Sequence, residues 1–156
     1  MSSIFSVFVA CAAVHSQAQT SGADQVVVRT LAGALSIANV TPVQTDGVTF
    51  NVALNGAHFD QCYGSRYAYY ADSAVRGKPV GRIIIEDFNG GSSDPASVSM
   101  YDFRKHPPVV LSVSDRLDVD DVRWTDDAVF PSANGRRHIF AHGKLSRSQP
   151  PASATP

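Results

Sequence analysis

Apolar and polar residues alternate with a period of two along most of this chain, a pattern that predicts strands. Val48, Phe50, Val52 and Leu54 alternate with Thr49, Asn51 and Ala53, as in a strand with one buried face. Asp46-Gly47 before it and Asn55-Gly56 after it supply turns, and the first of these sets Val43 opposite Phe50 in a hairpin. Val26 to Val28 reads as a further strand, whereas Leu31, Leu35 and Ile37 fit neither the strand nor the helix period. Between Val80 and Phe88 stand three consecutive β-branched residues, Ile83-Ile84-Ile85. Such a run predicts a strand buried on both faces, hence central in its sheet. Val98 and Met100 mark another strand, and Val109, Leu111 and Val113 mark one more after Pro107-Pro108.

Leu117 to Leu145 is the most legible stretch and predicts a three-stranded antiparallel meander. Val122 and Trp124 share a face, Thr125 to Asp127 turns the chain, and a second strand starts at Ala128 to Phe130. Asn134-Gly135 then reverses it, because both centres of a type I′ turn require positive φ. His138, Phe140 and His142 fall on one face of the return strand. Leu117 and Val119 have the opposite parity to Val122 and Trp124, so a bulge at Asp120-Asp121 is needed to turn both pairs inward. Ser65 to Gly77 predicts the one short helix. Tyr67, Tyr70, Ala71 and Ala74 follow helical spacing, Ser65 can cap the start, and Gly77 with Pro79 can stop it.

The fold class is therefore mainly β: a single antiparallel β-sandwich or partly open barrel of roughly seven to nine strands, with the C-terminal meander and one short helix. At 156 residues and 44% apolar content, the chain is the size of one domain with a genuine core. Residues 19–145 form that β-rich domain, and 146–156, SRSQPPASATP from Ser146 on, form a polar tail expected to be disordered.

Residues 1–18 read as a signal peptide. Ile4 to Val14 is an apolar run of the length of a leader core and short of the ~20 residues a membrane span needs. Ser16-Gln17-Ala18 places small residues where a signal peptidase reads them, although no Lys or Arg precedes the run. Phe8-Val9-Ala10-Cys11 also approaches a lipid-attachment motif at Cys11. A cut after Ala18 leaves Cys62 as the lone cysteine, so no internal disulfide framework is expected, and the thiol reads as a small buried side chain. Asn39-Val40-Thr41 is a formal glycosylation sequon. The formal charge of −1 removes the electrostatic attraction on which nucleic acid and anionic membrane surfaces rely, so neither is expected as a partner.

The chain lacks the G-x-S-x-G, H-E-x-x-H, phosphate-loop, G-x-G-x-x-G and C-x-x-C motifs. Three constellations remain. His58 and Cys62 with His138 and His142 have zinc-like spacing, but residues four apart in a strand lie about 13 Å from each other, at ~3.3 Å per residue, too far to share one ion at ~2.1 Å. Asp115, Asp118, Asp120, Asp121, Asp126 and Asp127 could offer oxygen ligands to calcium, yet the alternation of Asp118 and Asp120 with Leu117 and Val119 marks a solvated face. Residues 115–127 sum to −4 and 136–147 to +4, which predicts charge-complementary neighbouring strands. His138 or His142 with an aspartate of that run and Ser92 would make a hydrolytic triad if geometry allowed. No catalytic, cofactor-binding or metal residue is assigned from these patterns, and no cofactor is expected. The reading they leave is an exported, periplasmic or secreted, non-enzymatic binding, accessory or inhibitor protein whose partner is another protein or extracellular macromolecule. The alternatives are a small extracellular hydrolase of unfamiliar type or a metal-binding protein.

Overall fold

A computed structural model describes residues 14–16, 19–20, 25–40, 47–72, 77–89 and 94–148. Two short strands come first, β1 (Val14–Ser16) and β2 (Gln19–Thr20). They are followed by β3 (Gln25–Thr30), β4 (Gly33–Asn39), β5 (Phe50–Leu54) and β6 (Ala57–Cys62), which pair in that order as one antiparallel sheet. Next come β7 (Arg66–Ala71), β8 (Arg82–Phe88), β9 (Ser97–Asp102) and β10 (Val109–Ser114), a second meander with β2 added beside β7. The last four, β11 (Asp121–Trp124), β12 (Val129–Ala133), β13 (Arg136–Ala141) and β14 (Lys144–Arg147), form a third sheet with β1 against β11. None of the three sheets closes into a barrel, and the fold is all-β and sandwich-like.

Alternation along the second sheet explains how the three stack. Tyr67, Tyr69, Ile83, Ile85, Tyr101 and Phe103 point one way and pack with Leu35, Ile37, Phe50 and Val52 of the first sheet. Tyr70, Ile84, Val98 and Met100 point the other way and pack with Val122, Trp124, Val129 and Phe140 of the third. The second sheet is thus a middle layer with a core on each face, and β8 lies at its centre. This is the position that Ile83-Ile84-Ile85 predicted.

Several expectations are corrected. Arg66–Ala71 is strand β7, not part of a helix, and no helix occurs among the described residues. Tyr67 and Tyr70, which helical spacing put on one face, enter opposite cores. A strand buried on both faces has no polar positions to reveal its period, so the tyrosines satisfied the helix template by accident. Phe50 pairs with Asn39 rather than Val43; Val43 and Asp46 lie outside the described residues. Among the described residues fourteen strands replace the expected seven to nine, and the meander has a fourth strand, β14, which runs two residues into the stretch read as a tail. His142 is not on the return strand but in the turn before β14, at φ 52°. β11, the strand of the acidic stretch 115–127, and the basic β13 are not neighbours, because β12 lies between them.

Other readings hold. Asn134 and Gly135 adopt φ 51° and 70°, as a type I′ turn requires. Leu117, Val119, Val122 and Trp124 are all buried. The parity change occurs where Asp120 donates its N–H to the Ser132 carbonyl at 2.8 Å while Asp121 is the register partner of Ser132, two residues facing one as in a bulge. β1 pairs Val14 with Trp124 and Ser16 with Val122, so it lies within the stretch read as a leader, and β2 begins just past Ala18. Residues 1–13, 17–18 and 149–156, with Cys11, Thr41 and Ser92, lie outside the described residues. Among the described residues no helix is long and apolar enough to cross a membrane.

Candidate functional site

Three features stand out among the described residues: a cleft in each interlayer and the outer edge of β3. The first cleft, about 200 Å³, lies between the first and middle layers and is lined by Asp60, Cys62, Tyr63, Asp87, Ser99 and Tyr101 among others. Tyr101 donates its hydroxyl to Asp60 Oδ2 at 2.6 Å. Asp87 accepts the N–H groups of Tyr63 and Gly64, each at 2.8 Å, and so fixes the bend after β6. Only glycine fits at position 64, since a Cβ there would stand 2.4 Å from Asp87 Oδ1 and 2.5 Å from the Phe88 backbone.

The cleft is electronegative, and none of its lining residues is basic. Burial, then Asp87 and Asp60, push the Cys62 thiol up to about 12. Burial likewise raises Asp87, against its two N–H partners and with a further push from Asp60. Burial, then Cys62, Asp60 and Asp87, hold Tyr101 well above an ordinary phenol. At neutral pH Cys62 is therefore a buried neutral thiol, and a thiol in that state is not a nucleophile.

The second cleft, about 210 Å³, lies between the middle and third layers, with Arg82, Asp102, Arg104, Lys105, Phe140 and His142 on its walls. Its buried charges are already paired. Arg104 grips Asp102 with two prongs, Nε to Oδ1 at 2.9 Å and Nη2 to Oδ2 at 2.8 Å, and donates Nη1 to the Asp126 carbonyl at 2.9 Å. Arg82 donates Nε to Asp72 at 3.2 Å and Nη2 to the Thr125 carbonyl at 2.7 Å, with its guanidinium 5.0 Å from the Trp124 ring centre. Burial pushes Asp102 upward, but the Arg104 hydrogen bonds and charge outweigh it and hold the carboxylate below its usual range. Both arginines anchor the turn between β11 and β12 to the middle layer.

β3 is an end strand of the first sheet, and its outer edge is open over part of its length. The Arg29 carbonyl accepts from Val80 N–H and the Leu31 N–H donates to Val80 O, both at 2.9 Å, on the side away from β4. By alternation the peptide groups of Gln25 and Val27 also point away from β4, where no further strand is paired among the described residues. Val27 is 63% exposed and Leu31 53%. Val27 is thus a large apolar side chain on an unpaired stretch of edge, the feature that soluble sheets usually blunt, whereas Leu31 lies in the turn after β3 and its N–H is held by Val80.

The metal-binding constellations singled out in the sequence do not assemble, and Ser92 of the triad lies outside the described residues. His58 and Cys62 are on β6 in the first layer, while His138 and His142 belong to the third. The His58 ring is hydrogen-bonded to Asn51 at 2.8 Å. Among the described residues no group of three or more His, Cys, Asp or Glu is placed to hold a metal ion. Asp115, Asp118, Asp120, Asp126 and Asp127 are exposed, as a solvated face should be. Asp60, Asp87, Tyr101, Arg82 and Arg104 were not anticipated. A signal for one of them existed, since Glu86-Asp87 directly follows the apolar run of a strand expected to be buried. No family model, curated protein or solved structure matches the chain.

Proposed function

We propose that this chain is an exported, non-enzymatic binding domain that holds an extended segment of another protein along the free edge of β3. The observation that carries this reading is the edge itself: outward peptide groups at Gln25 and Val27 beside an exposed Val27. A partner strand laid there gains main-chain hydrogen bonds at Gln25 and Val27, and its side chains can rest against Val27. The committed hydrogen bonds in both clefts and the neutral Cys62 thiol support binding over hydrolysis. Export rests on the apolar Ile4 to Val14 run and on Ser16-Gln17-Ala18.

Two measurements test the two halves of this reading. The mass of protein recovered outside the cytoplasm should correspond to a chain beginning at Gln19, and a soluble cytoplasmic product retaining Met1 would count against export. A photo-crosslinking residue at position 27 should trap a partner that one at Asp94 does not, and Val27→Lys should abolish its binding. Equal trapping at both positions, or full binding by the lysine variant, would remove β3 as the site. Turnover of ester, peptide or glycoside substrates by the purified chain would favour the hydrolase instead.

A further inference from the structure

The face of β8 that carries Ile84 also carries an acid into the core between the middle and third layers. Glu86 is 2% exposed there. Its Oε1 accepts the Val119 N–H at 2.6 Å, and its Oε2 lies 3.0 Å from the Tyr70 hydroxyl. The same hydroxyl is hydrogen-bonded to the Val119 carbonyl.

Counting hydrogens decides the protonation state that fits. A phenol has one hydrogen to give, and a carbonyl has none. With the Tyr70 hydrogen on the Val119 carbonyl, the contact between Tyr70 and Glu86 needs a hydrogen from Glu86. A protonated Glu86 completes a ring: Glu86 Oε2–H donates to Tyr70 Oη, Tyr70 Oη–H donates to Val119 O, and Val119 N–H donates to Glu86 Oε1. An ionised Glu86 opens it. Either Tyr70 turns its hydrogen to the carboxylate and leaves the Val119 carbonyl without that donor, or the carboxylate faces the lone pairs of Tyr70. Both arrangements leave a buried polar group unmatched.

We propose that Glu86, Tyr70 and Val119 form a proton-operated latch, which pins residues 115–120 to the middle layer when Glu86 is protonated and loosens them when it ionises.

The surrounding charges favour the closed form. From the pinned segment and the strand it leads into, Asp118, Asp120 and Asp121 bring negative charge toward the pair, and Arg66 on β7 is the opposing cation. The Arg66 guanidinium is occupied over the Phe88 ring at 3.7 Å. Asp87, the next residue on β8, turns to the other face and bonds to Tyr63 and Gly64. Burial, with Asp118 adding to it, pushes Glu86 up to about 7, against the Val119 and Tyr70 hydrogen bonds and Arg66. Burial and Glu86 also raise Tyr70, which stays a phenol.

The folded-state value lies above the 4.5 of an unperturbed glutamate, so between the two the folded chain binds more protons than the unfolded one. The latch contribution is complete below about 4.5 and is lost as pH rises through about 7.

Hydrogen exchange at the Val119 amide, corrected for the intrinsic rate, reads the latch in the full chain. Protection should fall by about tenfold per pH unit between about 4.5 and about 7 and level off above that. Glu86→Gln should remove that dependence, since its amide can donate to Tyr70 and accept from Val119 at any pH. A Gln variant as pH-dependent as the parent would overturn the proposal. Should the variant not fold, the side-chain carboxyl ¹³C titration of Glu86 in the unaltered chain decides. A midpoint near 7 supports the latch, and one in the ordinary carboxylate range overturns it.

Discussion

Trp124 shows how far a single residue could be read from its neighbours. It is 2% exposed, packs with Val122, Val129 and Phe140, and has the Arg82 guanidinium over its ring. Truncating a buried tryptophan costs ~3–5 kcal/mol, a large share of the ~5–15 available to a domain. Trp124→Ala should therefore lower the urea midpoint severely or prevent folding. Arg123 has the opposite parity and lies 4.6 Å over the Phe130 ring, a partly exposed contact worth about 0.5–1 kcal/mol. Arg123→Ala should cost about that much, and equal losses from the two variants would mean that the facing of β11 is wrong. The facing was legible because one side of β11 meets solvent. The Phe130 contact was not, because it depends on the register with β12. Glu86 is illegible for a related reason: its partners Tyr70 and Val119 are 16 and 33 positions away, and the spacing around Tyr70 fits a helix.

Among the elements, tight turns were the most legible and doubly buried strands the least. Asn55-Gly56 and Asn134-Gly135 both adopt the positive φ values expected of them, since that requirement is local and few residues meet it. His142-Gly143 makes a similar turn from a residue type that seldom signals one. Gly135→Ala places a Cβ in open space, with nothing within 4 Å at φ +70°, so its cost is backbone strain alone, roughly 1–2 kcal/mol. Thermal unfolding should show that loss without a change in cooperativity. Asn134→Gly, which suits the same conformation, should be near neutral. β7 was misread because its alternation separates two cores and not core from water. β8 escaped the error only because three consecutive isoleucines argue for a strand by residue type.

At the scale of the molecule, the mainly antiparallel class followed from alternation and turn chemistry, while the number of layers depended on which faces meet. Only the isoleucine run in β8 pointed to a sheet covered on both sides. The clefts were illegible because each draws its walls from strands of two layers. Asp60 reaches Tyr101 across 41 positions, and Arg82 reaches the Thr125 carbonyl across 43. Stability at this scale rests on apolar cores and paired charges, so thermal midpoints with and without a chelator should agree. A drop of several degrees on chelation would require a metal ligand set elsewhere in the chain.

The layers are stacked in the order in which the chain is made. β3 to β6, β7 to β10 and β11 to β14 each close through hairpins between consecutive strands. The entropy lost in joining such near neighbours is small, and all-β chains fold slowly chiefly when their pairings are distant. During synthesis the first layer can be complete before the third exists, and the middle layer then has one face on which to condense. The meander bearing Trp124 covers the remaining face last. Val14 and its register partner Trp124 are 110 positions apart, so β1 joins its sheet only in a chain that keeps residues 14–16, and the proposed cleavage after Ala18 would leave β11 as the outer strand of the third sheet.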